Sequence, residues 1–279
     1  MCRRKKAIIL DDVRAADSDH GTSTGKDQSG TVISYFDEYG KGDKQMKATF
    51  QRELYCYFNT SIAYIYLAVF YFFSGFYFAG YCLMQNSSEL SEVFSSMFTI
   101  CVFIIPLLTM RLMSEDRKNK TDQLFLTAPV SLLSIIMGKF LAAFVLLLIG
   151  TVSMLLYGVL FSFLGVNSWS LILGHIAGIL LLGAALIAMG MFISSVTENQ
   201  IIAAVGSVAA GLLLIMADSA AAMLQSGFLK KTLKVISFNT HYTRFTQGIL
   251  YVPDIVFFLS IMAVFIMLTV RGFEQRRWR

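Results

Sequence analysis

Glu115, Asp116, Arg117 and Lys118 stand in consecutive positions between two long apolar runs, with Lys120, Thr121 and Asp122 close behind. Carboxylates and cations packed this densely can make charge-assisted hydrogen bonds to a partner surface, and such bonds are stronger than neutral ones. They do not supply the nucleophile, base and oxyanion donors that covalent chemistry needs at one point. Other candidates are sparse. His20, His175 and His241 are too scattered to form one cluster, and Asp218 stands alone in an apolar run. Cys2, Cys56, Cys82 and Cys101 show no C-x-x-C pair and no metal-like spacing with the histidines, so they read as unpaired core or interfacial residues. Gly21 to Lys26 has the outline of a phosphate loop. It has one residue too few between its glycines, and Asp27 stands where Ser or Thr should follow the lysine. The chain therefore reads as a non-enzyme with no nucleotide, cofactor or metal site of its own.

The elements that must carry these residues are membrane helices. With 56% hydrophobic and 15% charged residues and a mean hydropathy of +0.64, the sequence is too apolar for a soluble domain. Stretches of about 20 apolar residues span a bilayer as helices, and they are expected here at about 62–83, 94–113, 135–164, 171–196, 201–224 and 255–270. The excess of positive charge, +5 with a pI near 9.0, flanks these spans. That is a topological signal and not a nucleic-acid patch. The basic residues Arg111, Arg117, Lys118 and Lys120 fall on one side with Arg271, Arg276, Arg277 and Arg279, while the first and third loops carry none. Six spans with both termini in the cytoplasm fit this count. The loop after the fifth span disagrees, because Lys230, Lys231, Lys234 and Arg244 would then lie outside. An amphipathic stretch near Phe228 to Phe238, dipping into the outer leaflet, removes the conflict.

Residues 1–45 are polar and rich in Gly, Ser and Asp, so the expectation is a disordered leader, which a start-codon misassignment could also produce, before Met46. From Lys47 to Phe58, Phe50, Leu54, Tyr57 and Phe58 recur at helical spacing, with Lys47, Gln51, Arg52 and Glu53 on a polar side. This predicts an interfacial helix. The first span carries Tyr64, Tyr66, Tyr71, Tyr77 and Tyr81, and packing with satisfied hydroxyls is expected of those at mid-depth. Pro106 removes a helix bond just before the charged stretch and is a natural hinge. Lys139, near the inner face, is expected to snorkel to the headgroups, and His175 to lie at an interface. Asp218, as an ionisable residue within a span, is a candidate for the substrate path or for a structural pair. Gly174 and Gly178, and Ala203, Ser207 and Gly211, have the four-residue interval of close helix contacts.

Several segments taken in order carry a family resemblance. They are MKATFQRELYCYFNTSIAYIY at the start, PLLTMRLMSEDRKNKTDQLFLTAPVS followed by GKF, then SSVTENQ, YTRFTQGILYVPDIVFFLS and a terminal RRW. From Met46 onward the chain resembles the permease subunits of ABC-2 type exporters, particularly the branch of gliding-motility and nitrous-oxide-reductase maturation permeases. The resemblance implies an all-α, six-span domain over 46–279, in the plasma or inner membrane of a prokaryote. It implies an elbow helix containing Arg52 and Glu53, and an extracellular helical hairpin over 225–254 between spans five and six. The loop 114–131 would then dock on a separate ATP-binding subunit, which holds the ATP and Mg. Glu115, Asp116, Arg117 and Lys118 become docking contacts, with Thr121 helping to cap the following helix. A second permease copy or a paralogue completes the transporter. The sequence departs from the pattern at Lys120, where a glycine often precedes the threonine, and in the leader, which has no counterpart.

Two other classes compete with this reading. An ion-coupled secondary carrier should place charges at mid-depth on several spans, and Asp218 is the chief one here. A non-transporting membrane scaffold of a larger assembly needs no path at all. The cargo itself is not legible.

Overall fold

Inside a bilayer every backbone N–H and C=O must be satisfied within the chain, so long apolar runs fold as helices. In the computed structural model, residues 29–84, 91–119, 131–163, 169–223, 237–248 and 251–277 are described. Among them the helices are α1 (Ser29–Phe58), α2 (Ser61–Phe78, continued by a π turn over Ala79–Leu83), α3 (Ser91–Thr109), α4 (Ser114–Lys118) and α5 (Leu132–Phe163). They continue with α6 (Trp169–Val196), α7 (Gln200–Met223), α8 (Phe238–Thr246) and α9 (Val252–Arg277). Five of the described helical segments, built on α2, α3, α5, α6 and α9, are long and apolar enough to cross a membrane. The 24-residue α7 carries a shorter apolar stretch over Gln200–Met216. The described helices overlap the expected spans; the apolar stretch of α7 falls short of spanning length, and α9 runs further than expected into the basic C-terminal segment.

The most buried of these spans is α6, which packs against α3, α5, α7, α8 and α9. Its small residues explain how so many neighbours fit. A Cβ on Gly178 would lie 2.7 Å from the Cβ of Phe245, so α8 sits directly on the α6 backbone there. The Gly174 and Gly178 pair thus receives a short helix and not another span. Gly211, with the buried Ala203 and Ser207 on the same face, lets α7 approach Val102 of α3. The α8 helix begins at Ser237, whose hydroxyl accepts from the Thr240 amide, and Tyr242 donates to the Phe94 carbonyl at 2.7 Å. Phe94 lies in the first turn of α3, so α8 covers the end of the bundle opposite the charged turn.

Several expectations are corrected. The helix expected from Lys47 begins at Ser29, inside the stretch read as a disordered leader. Val32, Phe36 and Tyr39 carry the helical spacing back into that stretch. His175 is buried and stacked on Phe94 with ring centroids 4.1 Å apart, so its ring packs between helices. Cys82 and Cys101 are free, whereas Cys56 is disulfide-bonded. Tyr71 donates to the Ile149 carbonyl at 2.8 Å, while the buried Tyr66 hydroxyl finds no hydrogen-bond partner among the described residues. The stretch 228–236 of the expected amphipathic segment lies outside the described residues, and so does most of the first half of the hairpin.

Candidate functional site

The charged stretch lies where α3 ends. Pro106, buried within α3, has no N–H to give to the Val102 carbonyl, and the helix runs out at Thr109. A turn over 110–113 then leads into α4, whose five residues are Ser114, Glu115, Asp116, Arg117 and Lys118. The turn is held to the bundle on three sides.

One tether is ionic and buried. Lys139 of α5 is 2% exposed, and its Nζ lies 2.6 Å from Asp116 Oδ2, 3.0 Å from Glu53 Oε1 and 2.7 Å from the Leu112 carbonyl. The ammonium thus donates to Glu53 of α1 and to the Leu112 carbonyl of the turn, and pairs ionically with Asp116 of α4. Arg52 adds a second cation at 2.7 Å from Glu53 Oε1, so two carboxylates face two cations. Burial pushes the Glu53 carboxyl up and Asp116 adds to that. The Lys139 ammonium and the Arg52 guanidinium outweigh both and hold it below its usual value. Gly138 permits the approach: a Cβ there would meet the Met46 carbonyl oxygen of α1 at 2.8 Å. An apolar recess lined by Leu132, Ile135, Ile136 and Phe273 borders Lys139 and Asp116.

The second tether runs to the start of α2. Arg111 bonds the Glu115 carboxylate and donates to Thr60 Oγ1 at 2.6 Å; Thr60 in turn donates to the Cys56 carbonyl.

The third joins the turn to the end of α6. Ser194 Oγ accepts from the amides of Met113 and Ser114 at 3.2 and 3.1 Å and lies 3.1 Å from the Met110 carbonyl, to which it donates. Arg117 donates to the carbonyls of Ser195 and Val196 and reaches Glu198 at 3.3 Å. These carbonyls belong to the last turn of a helix, where no intrahelical N–H remains for them and cations are favoured.

Of the residues expected to dock on a partner, Glu115, Asp116 and Arg117 therefore turn into the protein, and Asp116 is buried. Lys118 and Asn119 are exposed. Thr121 lies outside the described residues, as does the rest of the loop to 130. Arg52 and Glu53, expected on the polar side of the interfacial helix, are instead within the ionic network; Glu53 shares a buried face with Cys56 and Tyr57. Lys139 does not snorkel. A lysine well inside a span is expensive unless paired, and the charged stretch expected at the same end of the bundle supplies carboxylates within about two dozen residues of it. That was the signal for the network. Ser194, by contrast, looks like any small residue near a helix end. Asp218 lies within α7, but its side chain is outside the described residues.

A second polar cluster sits at the other end. Asp254, fully buried at the start of α9, lies 2.5 Å from His241 Nδ1 and 3.1 Å from an Arg244 guanidinium nitrogen, so it fastens α8 to α9.

The family model that matches the chain is described as ABC-2 family transporter protein and covers residues 8–278. The match takes in most of the stretch before Met46. No curated protein matches the chain.

Proposed function

This chain belongs to the ABC-2 transporter family, as a multi-pass membrane permease, and from that premise we propose that it forms the path of an ATP-driven exporter. Families of this kind work with an ABC ATP-binding subunit. In this reading that subunit binds the ATP and Mg, docks on the loop 114–131 from the cytoplasm, and closes on nucleotide. A second permease copy or a paralogue supplies the other half of the path.

The observation that carries the reading is the tethering of the charged turn. Its charges bind Lys139 of α5, the start of α2 and the end of α6, and Lys139 carries the link on to Glu53 of α1, so a push at its exposed edge reaches the bundle through stiff contacts. Docking then falls to Lys118, Asn119 and the segment that follows, Thr121 included. Glu115, Asp116 and Arg117 transmit. Asp218 stays with the proposed substrate path.

Co-expression with the candidate ATP-binding subunit tests this. A stoichiometric complex should purify in detergent, and Lys118→Glu should weaken it without lowering the permease's own melting temperature. Proton-driven transport by this chain alone, or an ATPase that never co-purifies, would overturn the reading in favour of a carrier or a scaffold.

A further inference from the structure

The proposed coupling leaves open which helix receives the movement. The second and third spans flank the loop in sequence, and they are the obvious choice. The contacts favour another helix as well. One hydroxyl, Ser194 Oγ, holds three backbone groups of the turn, at Met110, Met113 and Ser114. Ser194 and Ser114 are both fully buried, so water cannot replace these bonds without opening the seam. One helical turn earlier, a Cβ on Gly190 would lie 2.9 Å from Thr109 Cβ, so the backbone of α6 is pressed against the last residue of α3. Arg117 closes the contact over the final carbonyls of α6. This is a socket made of Gly190, Ser194, Ser195 and Val196. It sits on the helix that also touches α3, α5, α7, α8 and α9.

We infer that Ser194 is a positioning residue for energy coupling: its hydroxyl seats the charged turn in the end of α6, making α6 a receiver of the ATPase stroke in parallel with α5. The inference rests on the permease reading above. It assigns Ser194 and Gly190 a role through the turn, with no contact to substrate or nucleotide.

The test uses the full chain with its ATP-binding subunit in lipid nanodiscs. Nitroxide labels are introduced through a noncanonical ketone side chain, which leaves the native cysteines in place. Reference labels at Met84, the end of α2, pair with labels at Trp169, the far end of α6, or at Phe163, the far end of α5; all three side chains are exposed. Distances are compared between the nucleotide-free and vanadate-trapped states. In the parent chain both distances should shift. In Ser194→Ala the Trp169 shift should fall by more than half while the Phe163 shift persists, and Ser194→Thr, which keeps the hydroxyl, should restore it. ATPase binding should be unchanged in both variants, a result that separates lost positioning from lost folding.

A Trp169 label that stays in place in the parent, while Phe163 moves, overturns the inference without any substitution. So does an undiminished Trp169 shift in Ser194→Ala. Should Ser194→Ala fail to fold, Ser194→Cys, a weaker hydrogen-bonding group of similar shape, must still reduce the Trp169 shift, and full retention overturns the inference. An ATPase that does not bind the parent chain overturns the permease reading itself.

Discussion

Replacing Lys139 with methionine should be among the most damaging single changes at the membrane boundary. Methionine is also long and unbranched, so packing is largely kept and the loss is electrostatic. The substitution removes the ammonium 2.6 Å from Asp116 and 3.0 Å from Glu53. Glu53 keeps Arg52 at 2.7 Å, while Asp116 sits 4% exposed beside the apolar Met113, Leu132, Ile135, Ile136 and Phe273. Breaking a buried ion pair from one side costs about 3–5 kcal/mol. At about 2–4 °C per kcal/mol for a chain of this size, that is a fall of about 6–20 °C in melting temperature. The cost comes from a buried carboxylate that loses its Lys139 counter-charge and not from the lost attraction alone. Removing that charge as well, in Lys139→Met with Asp116→Asn, should therefore recover most of it, because a fully neutralised buried pair is often no less stable than the original. Thermal unfolding in detergent micelles at neutral pH, followed by intrinsic fluorescence, gives both numbers. A deficit under about 1 kcal/mol for the single variant would place the pair in the range of solvent-screened surface bridges. Equal deficits for the single and double variants would show that the orphaned charge is not the cause. Either result refutes the account of the network.

Two further outcomes follow from the same geometry. The Glu53 carboxyl is held below its usual value of 4.5 by Lys139 and Arg52 against its burial, so its contribution is complete above that value and is lost as pH falls through the lower folded value. Melting temperatures of the parent and Glu53→Gln should differ most near neutral pH and converge on acidification below about 4.5; parallel curves would refute the assignment. At the other end of the bundle, Gly178→Ala places a methyl 2.7 Å from Phe245 Cβ. It should cost about 1–3 kcal/mol and raise hydrogen exchange across Phe238–Thr246, whereas unchanged exchange there would show that α8 does not rest on that glycine.

Helix positions were legible because the bilayer imposes one length and one hydropathy on every span. The starts and ends of α5, α6 and α7 fall within three residues of their expected places, and α3 stops four residues short, at Thr109. What could not be read was direction. Hydropathy marks Lys139, Asp116 and Glu53 as charges near a boundary, yet whether a boundary charge faces headgroups or a neighbouring helix depends on which faces meet. Here the Gly138 contact settles that by drawing α1 close. The same ambiguity hid the inward direction of His175, whose ring lies against Phe94 because α6 is central to the bundle. Small-residue spacing announced close packing at Gly178 correctly, but it could not say that the visitor is Phe245 of a nine-residue helix far along the chain. The tethering of Arg117 to the end of α6 was hidden for a further reason. A surface cation and one that caps a helix C-terminus have the same composition and differ only in the carbonyls they find.

The chemistry chosen at the seam constrains how the turn can move. An apolar contact between α4 and α5 would be as stable, and it would let the helices slide past each other with small loss, since apolar contacts are not directional. The ionic contact does not permit that. Lys139 is held by Glu53, Leu112 and Asp116, on three different parts of the protein, so a displacement that lengthens one of these contacts weakens a buried charge pairing. Ser194 acts similarly with neutral groups, because one oxygen serves Met110, Met113 and Ser114 together and cannot follow the turn part of the way. Arg117 differs: its contact with the largely exposed Glu198 can exchange for water at little cost. The low-cost motion is therefore one in which the turn, α1 and the adjoining ends of α5 and α6 shift as one body. Compliance is left to the exposed rim at Glu198 and to the α3 turn before Pro106, where the Val102 carbonyl lacks its helix donor.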